Sequence, residues 1–172
     1  WPRDYKKSIF SYKEMSTDQP HYPDIDLTEL KIGVVCATFN PTLTDALLRR
    51  VRDQLEGEPN VTDLLIERVP GSNEIPSCID LILQNKSFDC MVALGVVIKG
   101  STSHHHLVAE ATAHALQDLS FHYHVPIING IVVTDDLQSA EERITGQIDR
   151  GFEFAKAALQ MAQLRKKWTK IS

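Results

Sequence analysis

The chain has 172 residues, of which 42% are hydrophobic and 24% charged, with a formal net charge of −5. That length suits one domain with a real core, and the acidic balance excludes the basic surface that nucleic-acid binding needs. No apolar run approaches the roughly 20 residues of a membrane helix, and no charged-then-apolar signal sequence opens the chain.

Residues 1–27 differ from the rest. They hold three of the eight prolines (Pro2, Pro20, Pro23), many charges and no lasting periodicity. This composition predicts an extended N-terminal arm, partly disordered on its own or pairing with a neighbouring subunit. Its short apolar stretch, Ser8-Ile9-Phe10, suits such packing. A single domain is expected over 28–172.

From Leu30 onward, short apolar runs alternate with amphipathic stretches. Lys31–Ala37 is rich in β-branched residues and predicts a buried strand. Thr42–Leu55 places Leu43, Ala46, Leu47, Val51 and Leu55 at helical spacing. Val61–Val69 predicts a second strand and Ile75–Asn85 a second helix. Asp89–Ile98 is nearly all apolar and predicts a strand covered on both faces. His104–Phe121 predicts a long helix, Val125–Val133 a fourth strand, and Gln138–Ile144 and Asp149–Trp168 two closing helices. Apolar strands alternating with helices imply an α/β fold: a flavodoxin-like three-layer sandwich with a four-stranded parallel sheet and helices on both faces. Ligands of such sheets gather at the carboxyl ends of the strands.

One of those ends carries the most specific signal. In Gly95–His106, GVVIKGSTSHHH, a buried strand runs into Gly100 and then a helix. Glycine permits close backbone approach to a ligand. Ser101 and Thr102 offer hydroxyls and amides at a helix N-terminus, where the dipole favours an anion such as phosphate. His104 stands in the first turn, able to exchange protons near neutral pH. The alternative is a plain capped helix. The segment is not a P-loop, because Ser101 rather than Lys follows the second glycine.

Three weaker segments surround it. Val69–Pro76, VPGSNEIP, predicts a turn whose Ser72, Asn73 and Glu74 either bind a polyol or merely open a helix. Phe39, with Asn40, closes the first strand and either stacks on a planar ring or joins the core. Arg143, after Glu141 and Glu142, either meets a phosphate or forms a surface ion pair.

No metal centre is expected. His104, His105 and His106 are consecutive and point about 100° apart on a helix, and no cysteine set completes a ligand shell. Cys36, Cys78 and Cys90 lack C-x-x-C spacing and read as small buried hydrophobes in a reducing compartment.

Taken in order, these segments resemble the lumazine synthase family over roughly 30–164. The resemblance rests on Phe39-Asn40, on Val69–Pro76 (V-P-G-x-x-E-[IL]-P), on Gly95–His104 (G-x-[VL]-I-[RK]-G-x-T-x-H), on the proline-led strand Val125–Gly130 and on Glu142-Arg143. It implies condensation of 5-amino-6-(D-ribitylamino)uracil with 3,4-dihydroxy-2-butanone 4-phosphate to 6,7-dimethyl-8-ribityllumazine, with release of phosphate and water and no cofactor. By position it implies that Phe39 stacks on the pyrimidine. Ser72, Asn73 and Glu74 hold the ribityl chain, and Val96, Val97 and Ile98 offer backbone groups to the ring. Ser101, Thr102 and Arg143 bind phosphate, and His104 shuttles protons. Asn129 stands where the family usually carries an aromatic that reaches the adjacent subunit's site; it can hydrogen-bond a ring edge but cannot stack. His105 likewise replaces an aromatic. The resemblance further implies small-molecule substrates, no nucleic acid or membrane, and a homo-oligomer with its active site between subunits, a pentamer or a sixty-subunit shell, with riboflavin synthase as a further partner. The expected location is cytoplasmic, or a plastid or other organelle if a leader has been removed. The rival expectation is a catalytically weakened homologue that binds lumazine or flavin, or serves chiefly as a shell.

Overall fold

A computed structural model describes residues 28–100 and 104–169. The expectations for the 1–27 arm and for Ser101 and Thr102 lie outside the described residues. In chain order the elements are β1 (Leu30–Ala37), α1 (Pro41–Glu56), β2 (Val61–Val69), a 3-10 turn (Ser72–Glu74), α2 (Ile75–Asn85), β3 (Cys90–Ile98), α3 (His104–Tyr123), β4 (Ile127–Thr134), α4 (Leu137–Ile144) and α5 (Arg150–Thr169). The alternation of strands and helices stands as read from the sequence, with bounds moved by one or two residues. Pro41 occupies the start of α1, where its missing N–H costs nothing. α3 continues to Tyr123 and stops at His124, whose φ of 53° is left-handed. β4 begins after Pro126, whose carbonyl accepts from the Met91 amide at 2.9 Å while its nitrogen has no proton to give.

All three strand pairings are parallel and the order is β2-β1-β3-β4. The fold is therefore the flavodoxin-like α/β sandwich expected. Side chains alternate across the sheet. Ile32, Val34 and Cys36 of β1, with Val92, Leu94 and Val96 of β3, meet Leu47 and Val51 of α1, Ala140 and Ile144 of α4, and Ala155, Ala158 and Leu159 of α5. On the opposite face Val35, Ala37, Met91 and Ala93 meet Ile75 and Ile79 of α2 and Leu116 of α3. Each fully buried Leu or Ile contributes about 1.5–3 kcal/mol, so the first face, with three helices, supplies most of the hydrophobic stabilisation.

Ion pairs staple that same face. Arg50 of α1 meets Asp149 just before α5, and Lys156 of α5 meets Glu58 at 2.8 Å. At the amino ends of the strands, buried Asp89 accepts from the Lys31 amide at 2.8 Å and pairs with Arg165 and Lys166 of α5.

β4 is an edge strand, and Asn129 and Val133 are exposed. One sequence reading needs correction. Cys78 of α2 is only half-buried, packed at the margin of the second core, whereas Cys36 and Cys90 are buried. Loss of water pushes the Cys36 thiol up to about 11 and the Cys90 thiol further.

Candidate active site

Chain direction across the sheet reverses between β1 and β3, since β2 lies to one side of β1 and both β3 and β4 to the other. Such a switch point leaves a crevice at the carboxyl ends of the two strands. A cleft of about 390 Å³ occupies it.

Its first wall is the turn after β1. Phe39 is 70% exposed, so its ring is free to lie against a planar ligand rather than buried in the core. Asn40 follows with φ 56°, a left-handed conformation that asparagine tolerates better than most residues. Its backbone carbonyl accepts from the Leu43 and Thr44 amides and so starts α1. Its side-chain Nδ2 donates to the Val96 carbonyl at 2.9 Å and ties the end of β1 to β3.

The second wall is the 3-10 turn. Ser72 is buried, Asn73 is exposed, and both face the cleft with Gly71. Gly95 in β3 makes this possible. A Cβ at that position would collide with the Ser72 Oγ, so the strand has to be bare where the turn packs on it. The floor is the end of β3, Val96 to Ile98, with Gly100 beyond. One of the backbone groups expected for ring recognition, the Val96 carbonyl, already accepts from Asn40.

The third wall is the start of α3. His104 lines the cleft with its ring exposed to solvent. His105 turns inward and is only 8% exposed. An exposed aromatic, a polar turn, backbone at a strand end and an imidazole thus surround a volume suited to a small polar heterocycle, in the roughly 300–1,000 Å³ range of small-molecule sites.

The sequence profile of 6,7-dimethyl-8-ribityllumazine synthase matches residues 29–166, which contain every wall of this cleft. The chain belongs to the lumazine synthase family. It is 38% identical to the 6,7-dimethyl-8-ribityllumazine synthase of Thermococcus kodakarensis over 138 residues, covering 80% of this chain and 88% of the relative. It is 33% identical to that of a Polaromonas species over 160 residues, 91% of this chain and 97% of the relative. It is 35% identical to that of Prochlorococcus marinus strain MIT 9515 over 145 residues, 81% and 91% of the two chains.

Within one chain, the residues suggested by the likeness to lumazine synthases divide into two groups. Phe39, Ser72, Asn73, Val96, Val97, Ile98 and His104 come together in the cleft. Glu74 is exposed at the foot of α2, its carboxylate against Gly71 rather than in the cleft lining. Asn129 lies well down β4, opposite Ala93, and its Oδ1 accepts from the Ile131 amide at 3.2 Å. It thereby satisfies an N–H that the edge strand leaves open. Arg143 lines a separate, smaller cleft of about 230 Å³ with His105, His106, Val133, Thr134, Asp135 and Ser139. Its Nη1 donates to the Ser139 carbonyl at 3.0 Å, and among the described residues no carboxylate lies within ion-pair distance.

Sequence reasoning missed two contributors. The Asn40 clamp was visible only as half of a Phe-Asn pair, although a polar residue just before a proline-led helix signals a special backbone position. The double membership of His105 had no signal at all, because it follows from how α3 is rotated against the strands.

Proposed function

We propose that this chain condenses 5-amino-6-(D-ribitylamino)uracil with 3,4-dihydroxy-2-butanone 4-phosphate to give 6,7-dimethyl-8-ribityllumazine, phosphate and water, the penultimate step of riboflavin biosynthesis. One observation carries the reading: His104 opens α3 in the same cleft wall system as Phe39, Ser72, Asn73 and the end of β3. Phe39 stacks on the pyrimidine, and Ser72 and Asn73, with Glu74 at the rim, hold the ribityl chain. Ser101, Thr102 and Arg143 bind the phosphate. His104 takes a proton from the attacking amine side and returns protons as the imine forms, phosphate leaves and the ring closes. Holding two reactive substrates in register supplies much of the acceleration, and cationic donors at the departing phosphate add to it.

The positions of Arg143 and Asn129 support a site shared between copies, since neither faces the cleft of its own chain. α3 supports it too. Over twenty residues it buries only His105, Thr112 and Leu116, and it leaves Leu107 and Phe121 more than 60% exposed. A second copy would cover them. The reading is a homo-oligomer, pentamer or sixty-subunit shell, with residues 28–172 as the catalytic domain and residues 1–27 as an arm reaching a neighbour. The proposed setting is the cytoplasm, with riboflavin synthase taking the product.

Lumazine formation followed by absorbance and fluorescence tests the proposal, with both substrates supplied and His104→Ala alongside. Product from the wild type and strong slowing in the variant are expected. A wild type that binds the ribityl pyrimidine and makes no product would replace the enzyme with a binding or shell-forming homologue, the outcome that the missing aromatic at Asn129 would favour.

A further inference from the structure

α5 carries two apolar stripes. Ala155, Ala158, Leu159 and Ala162 face the sheet and are buried. Met161, Leu164 and Trp168 recur at spacings of three and four, so they share another side of the helix. Each of them is more than a third exposed, Trp168 by 67%. This second stripe forms one side of a groove of about 450 Å³ at the amino ends of the strands, with Pro126 ahead of β4 and the last turn of α3 as its other walls. Arg165 also lines the groove, and its Nε donates to the His124 carbonyl at 2.8 Å. The substrate cleft lies at the opposite end of the sheet.

The chain enters the sheet beside this groove. The Thr28 carbonyl accepts from the Asn60 side chain at 3.2 Å, and Leu30 opens β1. The Lys31 amide donates to the Asp89 carboxylate at 2.8 Å, and the other oxygen of Asp89 meets Arg165 at 3.3 Å. One side chain thus bridges the start of β1 and the groove wall. β1, β3 and β4 are successive neighbours in the sheet, so the starts of β1 and β4 lie two strand spacings apart, roughly 10 Å. An extended chain advances about 3.3 Å per residue, so the residues about three to five positions ahead of Thr28 are those that reach the groove.

Composition favours the same residues. α5 brings Arg165, Lys166 and Lys167 to this end of the molecule, and Asp89 pairs with the first two. Residues 14–29 hold five acids and no lysine or arginine, whereas residues 1–13 hold four basic residues and one acid. Pro23, Ile25 and Leu27 alternate with Asp24 and Asp26, and an extended chain sends such alternate side chains to opposite sides. We propose that residues 23–27 lie along the groove of their own chain, with Ile25 against Met161, Leu164 and Trp168, and with Asp24 and Asp26 toward Arg165, Lys166 and Lys167. The arm is thereby fixed near its root, its basic residues 1–13 are left to reach a neighbour, and the α3 wall with Phe121 stays open to a second copy.

Trp168 is the reporter, because Trp1→Phe leaves it as the single tryptophan. In the full-length Trp1→Phe protein its emission should be blue-shifted and should resist quenching by acrylamide. Ile25→Ala,Leu27→Ala should shift the emission to the red and restore quenching, and Asp24→Lys,Asp26→Lys should do the same, with far-ultraviolet dichroism confirming that each variant is folded. A cysteine pair gives a second readout that does not depend on those variants. With Cys78→Ser to remove the half-buried native thiol, Ile25→Cys and Leu164→Cys should form a disulfide within one chain on mild oxidation. Free quenching of Trp168 beside the unaltered arm would overturn the proposal. So would protection that survives both arm variants, since the cover would then be another copy. A disulfide only between two chains, or none, would overturn the assignment of the groove to the chain's own arm. None of these readouts needs turnover, so they stand apart from the activity assay.

Discussion

The two faces of the sheet are built on different principles. One is closed by α1, α4 and α5, with alanines at Ala155, Ala158 and Ala162 letting α5 lie close and ion pairs stitching its edges. The other is covered by α2 and by an α3 that buries three residues in twenty. Stability is concentrated on the first face, while the second carries the third wall of the cleft and, on α3, the exposed Leu107 and Phe121. The side that carries a wall of the cleft is thus the less completely packed of the two.

His104→Ala gives the largest expected effect. Loss of a positioned proton shuttle costs about 10²–10⁴ in kcat, with little change in thermal unfolding because the side chain is exposed. A variant that keeps near-wild-type kcat would break the assignment of chemistry to the open face. Leu159→Ala on the closed face reverses the pattern: it should lower unfolding free energy by about 2–5 kcal/mol through the cavity it leaves, read by chemical denaturation. A loss below about 1 kcal/mol would show that the closed face is not where stability is concentrated.

Gly95→Ala tests the join between the faces. The added methyl should push Ser72 aside and raise KM for the ribityl pyrimidine by roughly tenfold, the range of one disturbed polar contact, with a smaller change in kcat. An unchanged KM would remove Ser72 from substrate binding.

The smallest effect concerns Tyr123, which donates to Asp80 at 2.5 Å and joins α3 to α2. That bond, then the one from Gln84, holds the Asp80 carboxyl below its ordinary value, and the same pairing with Asp80 raises the Tyr123 hydroxyl. A depressed acid stabilises the fold above its unfolded-state pKa and loses that contribution as pH falls through the folded one. A raised phenol contributes below its unfolded pKa and loses that contribution as pH climbs through the folded one. Tyr123→Phe should therefore lower the melting temperature slightly at neutral pH, and the gap to wild type should close in strong acid. A gap unchanged in acid would sink this account.

Much of the fold was legible because local signals agree with the tertiary answer. KIGVVCA and DCMVALGVVI are too apolar and too β-branched for anything but central strands, and the intervening stretches have helical spacing. What sequence periodicity does not encode is strand order: IINGIVV reads as a strand, and its place last in the sheet, with Asn129 and Val133 exposed, emerges only in the fold. The candidate site was legible as a set of strand ends. It was not legible as a partition. Glu74 follows Ser72 and Asn73 by one or two positions, yet the 3-10 turn rotates it out of the cleft lining. Arg143 and His104 belong to one motif series, yet β4 and the start of α3 stand between their clefts.

Asn40 also bears on how the cleft admits its ligands. Its side chain bonds the Val96 carbonyl while its backbone starts α1, so the upper ends of β1 and β3 move as one piece. The other walls of the crevice are the 3-10 turn and the first turn of α3, and the exposed His104 stands on the second of them.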